Sequence, residues 1–168
     1  MTESILKDAF AHHVWASLQL LEACDALSGE QLATDTPGTY GSIRDTLRHL
    51  VGSDCSYLKV TSGGNHEPVD EESLDLAGLR AEMAKHADAW AGVIGNDPDP
   101  DRWLVRHRPD GSETHAPLGI RLAQALHHGT DHRSQVCTAL TNIGIEPPQI
   151  DVWDYGMAHE RTRRTAPA

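Results

Sequence analysis

Ala125-Leu126-His127-His128-Gly129-Thr130-Asp131-His132-Arg133-Ser134-Gln135-Val136 contains no proline, and apolar residues recur through and around it at Leu118, Leu122, Ala125, Val136 and Leu140. That period predicts a helix. His128 and His132 are four residues apart, which stands both imidazoles on one helix face. Two imidazoles so placed can bind one divalent metal from a single rigid element. Eleven histidines in 168 residues would give roughly 0.7 such pairs by chance, so spacing alone does not decide between a metal site and two ordinary helix histidines.

Working outward, Pro117 opens this helix, predicted over 118–142, and Gly144 ends it. His128 and His132 sit at the edge of its apolar face, beside Gln124, Asp131 and Gln135. A second helix starts at Ser42-Ile43-Arg44-Asp45, an [ST]-x-x-[DE] cap. Its apolar face is Ile43, Leu47, Leu50, Val51, Tyr57 and Leu58, and Thr61-Ser62-Gly63-Gly64 ends it. His49 lies on its polar flank with Ser53 and Ser56, which suits either a solvated surface histidine or one lining a cavity. Asp54 falls inside the apolar stripe, where a carboxylate requires a partner or a wet pocket.

Two further helices complete the set. Residues 4–27 carry the stripe Leu6, Phe10, Val14, Leu18 and Leu21, with Trp15 on the opposite side against a loop or a second subunit. Residues 28–41 read as a loop. Residues 74–95, capped by Ser73 or Asp75, carry Leu76, Leu79, Met83, Ala87, Trp90 and Ile94. His86 lacks a suitable polar companion one turn away and is expected at the surface. Asn96-Asp97-Pro98-Asp99-Pro100 stops that helix. Pro109-Asp110-Gly111 between two short β-type runs predicts a hairpin, across which His107 and His115 could pair. A short helix over about 150–160 follows Pro147-Pro148. The expected fold is all-α: a four-helix bundle with a small β-hairpin before the last long helix and a short C-terminal helix, in one domain over 1–160 with a frayed tail at 161–168.

Composition narrows the function. The formal charge is −11, with no basic stripe outside Arg161-Arg163-Arg164, which disfavours nucleic acid and anionic membranes as partners. No apolar run nears a membrane span, and Met1-Thr2-Glu3-Ser4 lacks the basic start of a signal peptide. Cys24, Cys55 and Cys137 are odd in number and far apart, as expected of buried thiols in a reducing cytoplasm. None is in a CxxC pair, so cysteine-based metal binding is not expected.

Gly41-Ser42-Ile43-Arg44-Asp45-Thr46-Leu47-Arg48-His49-Leu50, His128-x-x-x-His132-Arg133-Ser134-Gln135 and Trp153-Asp154-Tyr155 together resemble segments of the DinB-like (DinB/YfiT) metalloenzymes. The likeness spans nearly the whole chain. It implies a DinB-like bundle topology, a homodimer, and one divalent metal, zinc or nickel, held by His49, His128 and His132. The family has no single reaction. Some members are thiol-dependent transferases or isomerases that use low-molecular-weight thiols such as bacillithiol or mycothiol.

Three neutral imidazoles leave a divalent ion with an open position, as in catalytic sites, where a bound water or thiol ionises near neutral pH. Thr130 and Asp131 stand between the paired histidines and no glutamate does, so this is not H-E-x-x-H. Asp131 could hold an imidazole from behind, and Asp54 is the other candidate base. Gln135 could orient a bound ligand and Arg133 could pair with a carboxylate; each equally suits a structural contact. Without an evident base, a thiol-dependent S-transferase or isomerase acting on a small molecule is favoured over a metal-dependent hydrolase or a non-catalytic metal-binding bundle.

Overall fold

The computed structural model describes residues 5–95 and 98–165. The expected helix start at residue 4, the Asn96-Asp97 part of the helix stop and the end of the tail at 166–168 lie outside the described residues. Four long helices dominate: α1 (Lys7–Cys24), α3 (Ile43–Thr61), α4 (Leu76–Ile94) and α5 (Leu118–Asn142). Between them come a short α2 (Gly29–Leu32), a 3-10 turn (Glu71–Ser73) and the strands β1 (Trp103–His107) and β2 (Glu113–Pro117); α6 (Val152–Ala158) follows. α1 packs on α4 and α5, and α3 packs on the same two helices, so α1 and α3 occupy a diagonal of the bundle. The core between them is aliphatic around Phe10 and Trp90, whose rings meet at 4.5 Å.

The helix ends follow local chemistry. Ser42 caps α3: its Oγ accepts from the Asp45 amide at 3.2 Å and donates to the Asp45 carboxylate at 2.6 Å. Asp75 caps α4 by accepting from the Gly78 amide. α5 has no capping side chain; instead the amides of Leu118 and Gly119 donate to the carbonyls of Arg102 and Pro100. At its other end Gly144 takes φ 77° while Gly144 and Ile145 donate back to Thr141 and Leu140, a Schellman stop. α5 therefore runs without a break past both candidate ligands.

Three expectations are corrected. The 28–41 segment is not all loop: Ser28 and Gln31 form a reciprocal capping box that winds α2. His86 is not a surface residue but fully buried, because its ring bonds Asp54 and Cys55 of α3 while facing Glu82 one turn back on α4. His107 and His115 do not pair across the hairpin. The register sets Glu113 opposite His107 and Val105 opposite His115, and both imidazoles bond Glu113, at 3.0 and 2.9 Å. Trp15 packs on Tyr155 of α6 at 5.7 Å, and Arg161 beyond α6 returns to Asp8 of α1 at 2.7 Å. No helix among the described residues is long and apolar enough to cross a membrane.

Candidate metal centre

His49 from α3 and His128 and His132 from α5 meet where these helices cross. His128 Nε2 is 3.2 Å from His49 Nε2 and 3.2 Å from His132 Nε2. His132 is buried, while His49 and His128 are half-buried. The neighbouring His127 is exposed, so only the four-apart pair faces the bundle.

The rings are held by their neighbours. Gln135 Oε1 accepts from His132 Nδ1 at 3.1 Å and from the Tyr40 amide at 3.0 Å. That bond puts the proton on Nδ1 and turns the Nε2 lone pair toward the other two rings. Tyr40 stacks flat on His49, and Tyr57 meets His128 edge-on at 5.5 Å. Burial, then the positive charge its neighbours would carry, pulls His128 down to about 4; the same causes lower His49. Both rings are thus kept neutral, the form a metal requires. Three imidazole nitrogens within 4.8 Å of one another can bind one divalent cation together. The donor set fits a metal.

The structure sends the other candidates elsewhere. Asp54 is buried, and its oxygens are taken by His13 Nε2 at 3.0 Å, His86 Nδ1 at 2.7 Å and Trp90 Nε1 at 3.0 Å. Burial alone would raise its pKa, but His13 and His86 outweigh this and hold the carboxyl well below the usual range. It is a locked anion rather than a base. Arg133 is turned into the α1–α5 contact, donating to His13 Nδ1, the His13 carbonyl and Ser17 Oγ at 3.1–3.2 Å. Asp131 is exposed, and the acceptor behind an imidazole is instead Gln135, at His132 Nδ1.

Glu71, in the 3-10 turn, is a further carboxylate that sequence spacing does not reveal. A Cβ on Gly52 would lie 2.7 Å from both Glu71 carboxylate oxygens, so the carboxylate rests directly against α3, one turn beyond His49, and its charge is felt at that ring. A glycine inside a helix signals such a close approach. Tyr40 left no signal of its own, since it sits in a turn ahead of the α3 cap.

The solved structure of a DinB-like protein from Bacillus cereus ATCC 10987 is similar to this one. Its TM-score is 0.65 at 16% identity, covering 90% of this chain and 100% of that one. At that identity the likeness speaks for the fold alone. No curated protein matches the chain. The sequence model described as the DinB family matches residues 1–164, which takes in all four long helices and the three histidines; the chain belongs to the DinB family.

Proposed function

We propose that this protein is a metal-dependent enzyme that activates a small nucleophile at His49, His128 and His132, most simply the thiol of a low-molecular-weight cosubstrate, for S-transfer or isomerisation. The observation that carries this is the convergence of three imidazole Nε2 atoms with no carboxylate or thiol grouped with them among the described residues. Zinc or nickel suits three imidazoles. When bound, such an ion stabilises the anionic form of a water or thiol near neutral pH. The chain's own residues do the rest. Gln135 fixes the direction of His132, Tyr40 and Tyr57 flank the rings, and Glu71 can take a proton from a nucleophile arriving beside His49.

A cleft of about 230 Å³ adjoins Tyr57, lined by Arg106, Arg108, Arg121 and Gln124. Gln124 donates to the Tyr57 hydroxyl at 3.3 Å, which links this cleft to the ring beside His128. Its cationic lining suits an acidic substrate or the carboxylates of a thiol cosubstrate. Hydrolysis is the second reading, and Glu71 is what favours it, because a base beside the metal would serve water equally well. A homodimer in the cytoplasm completes the proposal.

Elemental analysis of the wild type beside a His49/His128/His132 triple-alanine variant tests the centre. Loss of one metal equivalent per chain in the variant is expected. Equal metal content in the two proteins overturns the assignment. Turnover of electrophilic substrates that depends on added thiol supports transfer, and turnover without thiol moves the assignment to hydrolysis.

A further inference from the structure

A second cluster of donors lies between α3 and α4, formed by Cys55, His66, Glu82 and His86. Cys55 comes from α3, His66 from the segment that follows it, and Glu82 and His86 from successive turns of α4. Cys55 Sγ is 3.3 Å from His86 Nε2 and 3.8 Å from Glu82 Oε1. Glu82 Oε1 is 3.8 Å from His66 Nε2 and 3.8 Å from His86 Nε2. Donors on a tetrahedral zinc-type ion stand roughly 3.3–3.7 Å apart, given bonds of about 2.0–2.3 Å. Four donors from three segments already stand close to that spacing.

The hydrogen bonding around the cluster points the same way. Asp54 accepts from His86 Nδ1 at 2.7 Å, so the His86 Nε2 lone pair faces Cys55 and Glu82, in the carboxylate–histidine arrangement typical behind metal ligands. Lys85 holds the other oxygen of Glu82, leaving Oε1 aimed inward. His66 Nε2 is buried with no hydrogen-bond partner among the described residues. The thiol proton of Cys55 is one donor for several facing lone pairs, and a buried polar atom left unpaired is destabilising.

We propose that Cys55, His66, Glu82 and His86 form a second, closed site for a zinc-class divalent ion, distinct from the three-histidine centre. On binding, Cys55 gives up its thiol proton to solvent. The thiolate and the Glu82 carboxylate then offset the two charges of the ion, leaving a neutral unit that tolerates burial. Four protein ligands leave no open position, so the role is structural: the ion clips the segment carrying His66 onto α3 and α4. In the sequence only Glu82 and His86, four apart on α4, hint at this; Cys55 and His66 join them through the packing of α3 and the segment after it.

Cobalt(II) is the probe, added to reduced, metal-stripped full-length protein. The three-histidine centre has no sulfur ligand, so a thiolate-to-cobalt charge-transfer band in the near ultraviolet reports the second site alone. The expected result is a band that saturates by two equivalents of cobalt in the wild type, which holds both sites, and at one equivalent where the three histidines are removed. It persists in the His49/His128/His132 triple-alanine variant, disappears in Cys55→Ser, and needs at least tenfold more cobalt in His66→Ala, whose side chain is peripheral enough to spare the fold. No thiolate band in the wild type at excess cobalt overturns the proposal. So does a band unchanged in Cys55→Ser, which would come from Cys24 or Cys137.

Discussion

The ring of Tyr40 lies flat on that of His49, with centroids 3.9 Å apart and planes 10° apart. Tyr40 is itself 56% exposed, so the stack is the outer wall of the centre rather than part of the core. Aromatic pairs contribute about 0.5–1.5 kcal/mol beyond their buried area. Tyr40→Ala is expected to weaken metal binding roughly two- to tenfold by that magnitude. Tyr40→Phe should match the wild type, because the contact is made by the ring face and the bond to Gln135 by the backbone. Competition with a chromophoric chelator measures both. A Tyr40→Ala protein with wild-type affinity would show that the stack does not orient His49.

Gln135 is bound to His132 Nδ1 and to the Tyr40 amide at once, so it couples the turn before α3 to the ligand on α5. Partners behind metal-bound histidines typically matter 10–100-fold in affinity. Gln135→Ala is expected to lose affinity in that range, and Gln135→Glu, which keeps the acceptor, to retain it. The same chelator competition separates the two. Equal loss in both variants would point to packing rather than to the hydrogen bond.

Gly129, between the two ligands on α5, is where helix propensity and packing oppose each other. In an open helix Gly→Ala gains about 1 kcal/mol. Here the new Cβ would overlap the His13 ring, lying 2.6 Å from Nδ1. That ring cannot swing away, since Asp54 and Arg133 hold it from both sides. Overpacking of about 1–3 kcal/mol should therefore win. Gly129→Ala is expected to unfold at lower urea concentration than the wild type, and a higher midpoint would mean that α5 and α1 can separate freely.

The depressed His128 sets a pH dependence for the metal-free protein. Its pKa falls from the ordinary 6.5 to about 4 in the fold, and His49 moves in the same direction. Between those limits the unfolded chain binds protons that the folded chain refuses, so stability rises with pH. The contribution is fully present above about pH 6.5 and is lost as pH falls toward the folded value. The melting temperature of metal-free protein should drop over that window, and less steeply in His128→Asn. Parallel slopes in the two proteins would locate the dependence elsewhere.

The fold was legible because each long helix carries its own stripe and its own stop. Ser42, Pro117 and Gly144 mark ends that the structure reproduces within a residue. The DinB-like topology came from resemblance rather than from periodicity, since a stripe says which face is buried but not against which helix. The three histidines were visible as a pair plus a distant single. Asp54 and His86 were misjudged for one shared reason. A helical wheel shows the face each one lies on but not the bond between them, which joins α3 to α4 across 32 residues of sequence. Glu71 and the Cys55 cluster were hidden for the same reason, as they exist only once α3, α4 and the segment between them have packed.

The separation of the first ligand from the other two also gives the centre a place in time. His49 is 79 residues from His128 along the chain. In an unfolded chain this centre can offer a cation only the weak local pair on α5, and closing so long a loop before its contacts form is entropically costly. High-affinity uptake must therefore wait until α3 has docked on α5. During refolding, the appearance of metal tightly held by these three histidines would act as a clock for that long-range step.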